Sequence, residues 1–338
     1  MIPVSLPGGN FYASLVLSLV CLSTLLTWLA KLAVDRGARR WLREHRRLGP
    51  AMMAVLAVAG GIFPYQHVSL WLATQRDLRD EQARRAVLDA GRRLAGIDMP
   101  RGTVLRLGEA GQLDSFVQAD FPAQVEVGGL LARQLFRYPR PADGAGPARE
   151  SWSLALSADQ PVQGWTCSRG HRAELVLDAS GRPRFDSCHL AAGNMLDGQP
   201  LPAGTWLDLR QDAPPRWLLR TDGSEPAVVA GMPLLKADIS VDDRHDVASF
   251  EGLLAQELTL GPYTYPTGTR AASAAGVAGA QPGDLLFSPP RGRSARREGQ
   301  ADVAAGHSVL QAPDGTVRAV LGNRQAGVLD VATMQIGP

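Results

Sequence analysis

Residues 11–32 read FYASLVLSLVCLSTLLTWLAKL, an apolar run that carries no charge before Lys31 and places Trp28 near its far end. At about 1.5 Å of rise per residue, a helix of this length spans a hydrocarbon core of roughly 30 Å. Residues 11–32 are therefore expected to form a first transmembrane helix. Residues 1–10 carry no charged side chain, so the basic leader of a cleaved signal peptide is missing, and this segment is expected to be an outward-facing N-terminus.

Working outward, the next stretch, 33–49, is basic. Counted from Lys31 to Arg47, the basic residues Lys31, Arg36, Arg39, Arg40, Arg43, Arg46 and Arg47 stand against only Asp35 and Glu44. Such a bias places a loop in the cytoplasm. A second apolar stretch, 51–73, reads AMMAVLAVAGGIFPYQHVSLWLA. Gly60, Gly61 and Pro64 interrupt it, so a kinked second crossing is expected, returning the chain to the outer side. In a Gram-negative cell that side is the periplasm. The expected location is the inner membrane, with the lipid bilayer as one partner and both the N-terminus and the long C-terminal region facing outward. Only Lys31 and Lys236 are lysines among 35 basic residues, a composition typical of a GC-rich bacterial genome.

Residues 74–96 hold strong helix formers with opposite charges interleaved, which predicts a solvated helical stem. From 97 to 338 the pattern changes to short alternating runs bounded by Gly, Pro, Asp and Asn, the signature of strands and tight turns. VLRL (104–107), AELVL (173–177), WLDL (206–209) and WLLR (217–220) are examples.

Recurrence is the most informative feature of this region. MPRGT (99–103), LPAGT (201–205) and YPTGT (265–269) are variants of one turn, built on Pro100, Gly102 and Thr103, on Pro202, Gly204 and Thr205, and on Pro266, Gly268 and Thr269. CSRGH (167–171) and VAAGH (303–307), with Gly306, look like degenerate copies, and GLLARQL (129–135) is echoed by GLLAQEL (252–258). Gly102, Gly204 and Gly306 stand 102 residues apart. A unit of roughly 34 residues, about seven of them in the domain, follows from this spacing. Pro fixes φ before the turn, Gly supplies a positive φ, and Thr opens the next strand. The expected fold class is a membrane-anchored α+β chain: two N-terminal transmembrane helices and a helical stem, followed by an all-β domain of short-strand repeats, solenoid-like or an irregular sandwich.

Cys167 and Cys188 are the only thiols after the membrane segments, Cys21 lying inside the first. In an exported domain they are expected to form a disulfide; free thiols, or zinc held with His171 and His189, are the alternatives. The acidic run Asp242-Asp243-Arg244-His245-Asp246 lacks the Gly and distal Glu of an EF-hand loop, so an exposed turn is expected there. Arg291, Arg293, Arg296 and Arg297 lie in a Pro/Gly-rich stretch expected to be a solvated loop.

Nucleophile-elbow, P-loop, dinucleotide and zinc-protease motifs are absent from the sequence. No cofactor or metal is expected. The net charge of +2 sums a basic N-terminal cluster and a nearly balanced remainder, which gives no reason to expect a nucleic-acid partner. The sequence reading is thus a non-enzymatic membrane protein whose exported domain binds a protein partner in the envelope, an immunity-type protein being one version. A hydrolase with a site assembled across repeats, joining His171 or His189 to Asp186 and a serine, is the main rival. A structural spacer is the third reading.

Overall fold

A computed structural model describes residues 9–140, 149–178, 180–210 and 217–328. The chain divides into two compact units, residues 1–84 and 85–338.

The first unit is helical. Helix α1 spans Gly9–Val34, α2 spans Arg36–Glu44 and α3 spans Leu48–Ala83. Two of them, α1 and α3, are long and apolar enough to cross a membrane, with mean hydropathy of 2.0 and 1.6 over their most apolar windows. Their large side chains point outward, Leu17 and Val58 being 61% and 70% exposed. The helices approach each other through small groups: the Ser18 hydroxyl donates to the Gly60 carbonyl at 2.7 Å. A Cβ on Gly60 would lie 2.9 Å from the Leu22 backbone nitrogen, so only glycine permits this approach.

Two expectations change here. Residues 33–49 are not an open loop, because Asp35 accepts a hydrogen bond from Gly37 N at 2.7 Å and starts α2. The helical stem predicted over 74–96 is the end of α3, which runs through Pro64 without interruption and stops at Ala83. Residues Arg85–Val87 instead pair with the strand Val104–Leu107, and Leu88 and Leu94 enter the β core. Tertiary pairing and burial outweigh a helix propensity of a few tenths of a kcal/mol per residue.

The second unit is built on one antiparallel sheet of sixteen strands. Fifteen follow each other in chain order from Arg85–Val87 to Val317–Gly322, each hydrogen-bonded to the next. Strands are not uniformly short; Phe116–Val127 has 12 residues. The runs at 104–107, 206–209 and 217–220 form strands with those bounds, and AELVL lies in Arg172–Leu177.

In a consecutive antiparallel meander, alternate connections fall at the same end of the sheet. At one end, two of them are tight turns headed by aspartates: Asp178 accepts from the backbone N–H groups of Ser180 and Arg182, and Asp242 from those of Arg244 and Asp246. The acidic run 242–246 is therefore a turn whose first carboxylate is used internally. At the other end the chain makes hairpin arms before re-entering the sheet. Their tips lie at Ala95-Gly96, Gly128-Gly129, Gln163-Gly164, Asp197-Gly198, Ala230-Gly231 and Gly261-Pro262, and a seventh connection, 289–306, is closed by an Ala295–Val303 bridge.

These arms fold back across one face of the sheet. Trp165, in one arm, stacks on His245 of an opposite-end turn with ring centroids 4.5 Å apart. The arm tip at Gly261 abuts Gly315 so closely that a Cβ on Gly261 would lie 2.2 Å from the Gly315 carbonyl oxygen. The core fills the space between arms and sheet, with Trp152, Trp165, Trp217, Tyr263, Tyr265 and Phe287 among its largest buried side chains.

The Pro-x-Gly-Thr turns close three of the arms with the same hydrogen bonds. Gly102, Gly204 and Gly268 have φ of +87°, +85° and +83°. Their N–H groups donate to the carbonyls of Leu88, Leu190 and Leu254 at 2.7–2.8 Å. The buried hydroxyls of Thr103, Thr205 and Thr269 donate to the carbonyls of Pro100, Pro202 and Pro266 at 2.7–2.8 Å. Gly306 keeps a positive φ of +93° in the turn at 303–307. The segment 167–171 departs from the pattern, since Gly170 is not left-handed and its N–H donates to the Ser168 hydroxyl instead. The GLLARQL echo is likewise not equivalent: Gly129 sits at an arm tip, whereas Gly252 is inside a strand against Leu234 and Ala237.

Candidate functional site

The arms do not cover the sheet completely. A cleft of about 930 Å³ opens between the arm tips at Asp197 and Ala230-Gly231, the strand Val247–Leu254 and the loop at 274–284. Its walls are mostly apolar or small, with Gln281 and Asp284 among the polar side chains and Met232, Val247, Phe250, Leu258, Leu260 and Leu285 the largest apolar ones. Each comes from an element whose other side chains fill the core, so the wall is held by the fold and needs no bound partner to form.

One wall is pinned by a buried carboxylate. Asp284 accepts a hydrogen bond from Gln281 N at 2.8 Å and pairs with Arg318 Nε at 3.3 Å. Gln281 Oε1 accepts a second bond from Arg318 at 2.8 Å. This fixes the 281–284 turn against the strand Val317–Gly322. At the rim, Asp197 is exposed and carries the arm tip with a φ of +48°. The cleft thus offers an apolar floor with few charges, which suits a ligand that buries apolar groups more than one held by ion pairs.

A second cluster surrounds the disulfide. Cys167 and Cys188 are joined, with Cα atoms 5.9 Å apart, tying an arm to the strand Pro183–His189. Both sulfurs are consumed, so the zinc alternative for these cysteines does not hold. His171 and His189, the other members of that set, stack with centroids 4.2 Å apart, and Trp206 meets His189 edge-on at 4.8 Å. Burial, reinforced by the neighbouring His171 ring, lowers the pKa of His189 below the usual imidazole value, and its Nδ1 is buried without a hydrogen-bond partner.

On the same sheet, burial raises the pKa of Glu174, helped by the Asp186 carboxylate and opposed by Ser153 and Arg172. Neither histidine lines the cleft, and neither does Asp186. Among the described residues no group of three or more His, Cys, Asp or Glu side chains is arranged to hold a metal ion.

The basic run at 291–297 is more structured than a solvated loop. Arg296–Arg297 adds a strand beside Tyr263–Tyr265, Arg296 pairs with Glu257 at 2.7 Å, and the Arg297 guanidinium lies 5.2 Å over the Tyr263 ring. The repeat-turn residues serve the scaffold: they aim the arms and stand outside the cleft. Sequence reasoning missed the cleft because its walls are alanines, glycines and leucines without distinctive spacing. It also missed Leu88, Leu190 and Leu254, although each stands 14 residues before the turn glycine in an ungapped frame.

Comparison with family models, curated proteins and solved structures finds no match to the chain. The functional reading therefore rests on geometry.

Proposed function

We propose that this chain is a non-enzymatic inner-membrane protein whose exported β domain binds a protein partner of the cell envelope, or an incoming one, in the apolar cleft. The observation that carries the reading is the cleft itself: a preformed, open, weakly charged concavity on a domain following two membrane-length helices. The disulfide supports an oxidising compartment on the outer side of the membrane. The domain is read as about seven units of roughly 34 residues, each a strand, an arm and a returning strand. In support, the arm-tip glycines Gly96, Gly129, Gly164, Gly198 and Gly231 are separated by 33 to 35 residues. An immunity-type protein that captures an apolar segment of an incoming toxin is one version of this function.

Site-specific photo-crosslinking in intact cells tests the reading. A photoreactive residue at Ala248 or Ala275, both exposed on the cleft wall, is expected to trap the same protein. One at Val117, on a distant strand, traps none. Ala248→Arg should abolish the adduct formed from position 275. Equal adducts from Val117, or an adduct indifferent to Ala248→Arg, would remove the cleft from the function.

A further inference from the structure

The short helix α2 supplies an interaction surface distinct from the cleft. We propose that it is a docking face for anionic phospholipid headgroups, a proposal that rests on the reading of α1 and α3 as membrane-crossing helices. Its two sides are chemically opposite. Ala38, Trp41 and Leu42, at i, i+3 and i+4, are half-buried, while Arg36, Arg40 and Arg43, at i, i+4 and i+7, are exposed on the other side.

The apolar side is fixed to the two long helices. Trp41 packs edge-on against Trp28 of α1 with centroids 5.4 Å apart, and Leu42 reaches Gly49 of α3, where a Cβ would lie 2.4 Å from its Cδ1. Arg39 donates from Nε to the Leu32 carbonyl at 2.8 Å and from its terminal nitrogen to the Ala33 carbonyl, closing the C-terminal end of α1. These contacts hold α2 where both long helices end, the level at which tryptophans and headgroups meet.

The basic side is left for a ligand. Asp35 is occupied as the cap of α2, and no ion pair is formed by Arg36, Arg40, Arg43, Arg46 or Arg47 among the described residues. A row of guanidinium groups matches the phosphate of a phospholipid by paired N–H donors and by charge, and a net-negative headgroup adds attraction that a zwitterionic one lacks.

The test uses the full-length protein purified in detergent from membranes of known lipid composition. Lipid that stays bound is counted as the ratio of phosphatidylglycerol to phosphatidylethanolamine. The wild-type chain is expected to enrich phosphatidylglycerol over the bulk ratio. R36Q/R40Q/R43Q returns the ratio to bulk, with total lipid unchanged, because each basic residue near an anionic surface is worth roughly fivefold in partition. R36K/R40K/R43K keeps most of the enrichment. A wild-type ratio equal to bulk, or a glutamine variant that still enriches, overturns the headgroup face while leaving the membrane helices intact. A chain that is soluble without detergent and carries no lipid overturns both readings.

Discussion

The helical unit and the β unit spend their apolar side chains in opposite ways. In the helices only 6% and 11% of the most apolar windows are buried, and Leu17, Val55 and Val58 face outward. In the β unit the inward residues of successive strands, from Leu105 to Val309, are almost fully enclosed in one continuous core. A side chain that leaves water gains about 25 cal/mol per Å² wherever it goes. The helices gain this only if another phase covers them, whereas the sheet supplies its own cover by folding arms across its face. The contrast is the physical argument for anchoring one unit in a bilayer and placing the other in water.

The largest effect expected from this contrast is all-or-none. Alkaline phosphatase fused after residue 100 should be active, and fused at Arg43 inactive, since the enzyme needs the oxidising side. Activity at Arg43, or none after residue 100, breaks the assignment of both units.

Next in size is the loss of the disulfide. Cys167→Ala with Cys188→Ala opens a crosslink across 21 residues, and should cost on the order of 3 kcal/mol. In detergent the denaturation midpoint of the β signal falls while the helical signal keeps its own midpoint. A shared shift would mean that the two units unfold together.

A smaller effect comes from the turns. Gly204→Ala meets no atom within 4 Å, yet its φ of +85° makes any side chain strained there, so a loss of about 1–2 kcal/mol is expected. Gly102→Ala and Gly268→Ala should cost similar amounts and add to it, because the three turns make the same hydrogen bonds at separate places. Unequal or non-additive losses in chemical denaturation would show that the arms are not equivalent units.

The smallest effect is in pH. His189 titrates below the ordinary value of 6.5 because burial, and then the adjacent His171, disfavours its charged form. The unfolded chain therefore takes up a proton that the folded chain resists, and stability declines as pH falls from about 6.5 toward the folded pKa. Solvent screening at this half-exposed site keeps the change smaller than those above. His189→Gln should flatten melting temperature between pH 7.5 and 5.5. The turn aspartates Asp178, Asp242 and Asp314 have lowered pKa values through hydrogen bonds from Ser180, Asp246 and Thr316. Their contribution is lost only at lower pH, as it falls through those folded values. Glu174, whose pKa is raised by burial, acts in the opposite sense above about 4.5.

How much of this was legible differs between the elements. The strands 104–107 and 206–209 could be read because alternation with a period of two survives in a sheet with one buried face, whereas 217–220, buried at Trp217, Leu218 and Leu219 alike, could be read only as a short apolar run. The turns at 99–103, 201–205 and 265–269 could be read because positive φ and a fixed φ narrow the choice to Gly and Pro. The segment 85–96 was misread as helix, since its arginines and alanines favour helix locally while the pairing that decides its fate lies at Val104–Leu107.

By itself, the sequence determined the two apolar helices, the basic cluster between them and the turn chemistry, and it showed that helix gives way to strand. All of these depend on neighbours along the chain. Only the tertiary structure decided that the strands form a single meander, that its arms fold across one face, and that a cleft remains beside Phe250. These depend on long-range packing among common residues such as alanine, leucine and glycine, whose identity carries little information about which distant partner they meet.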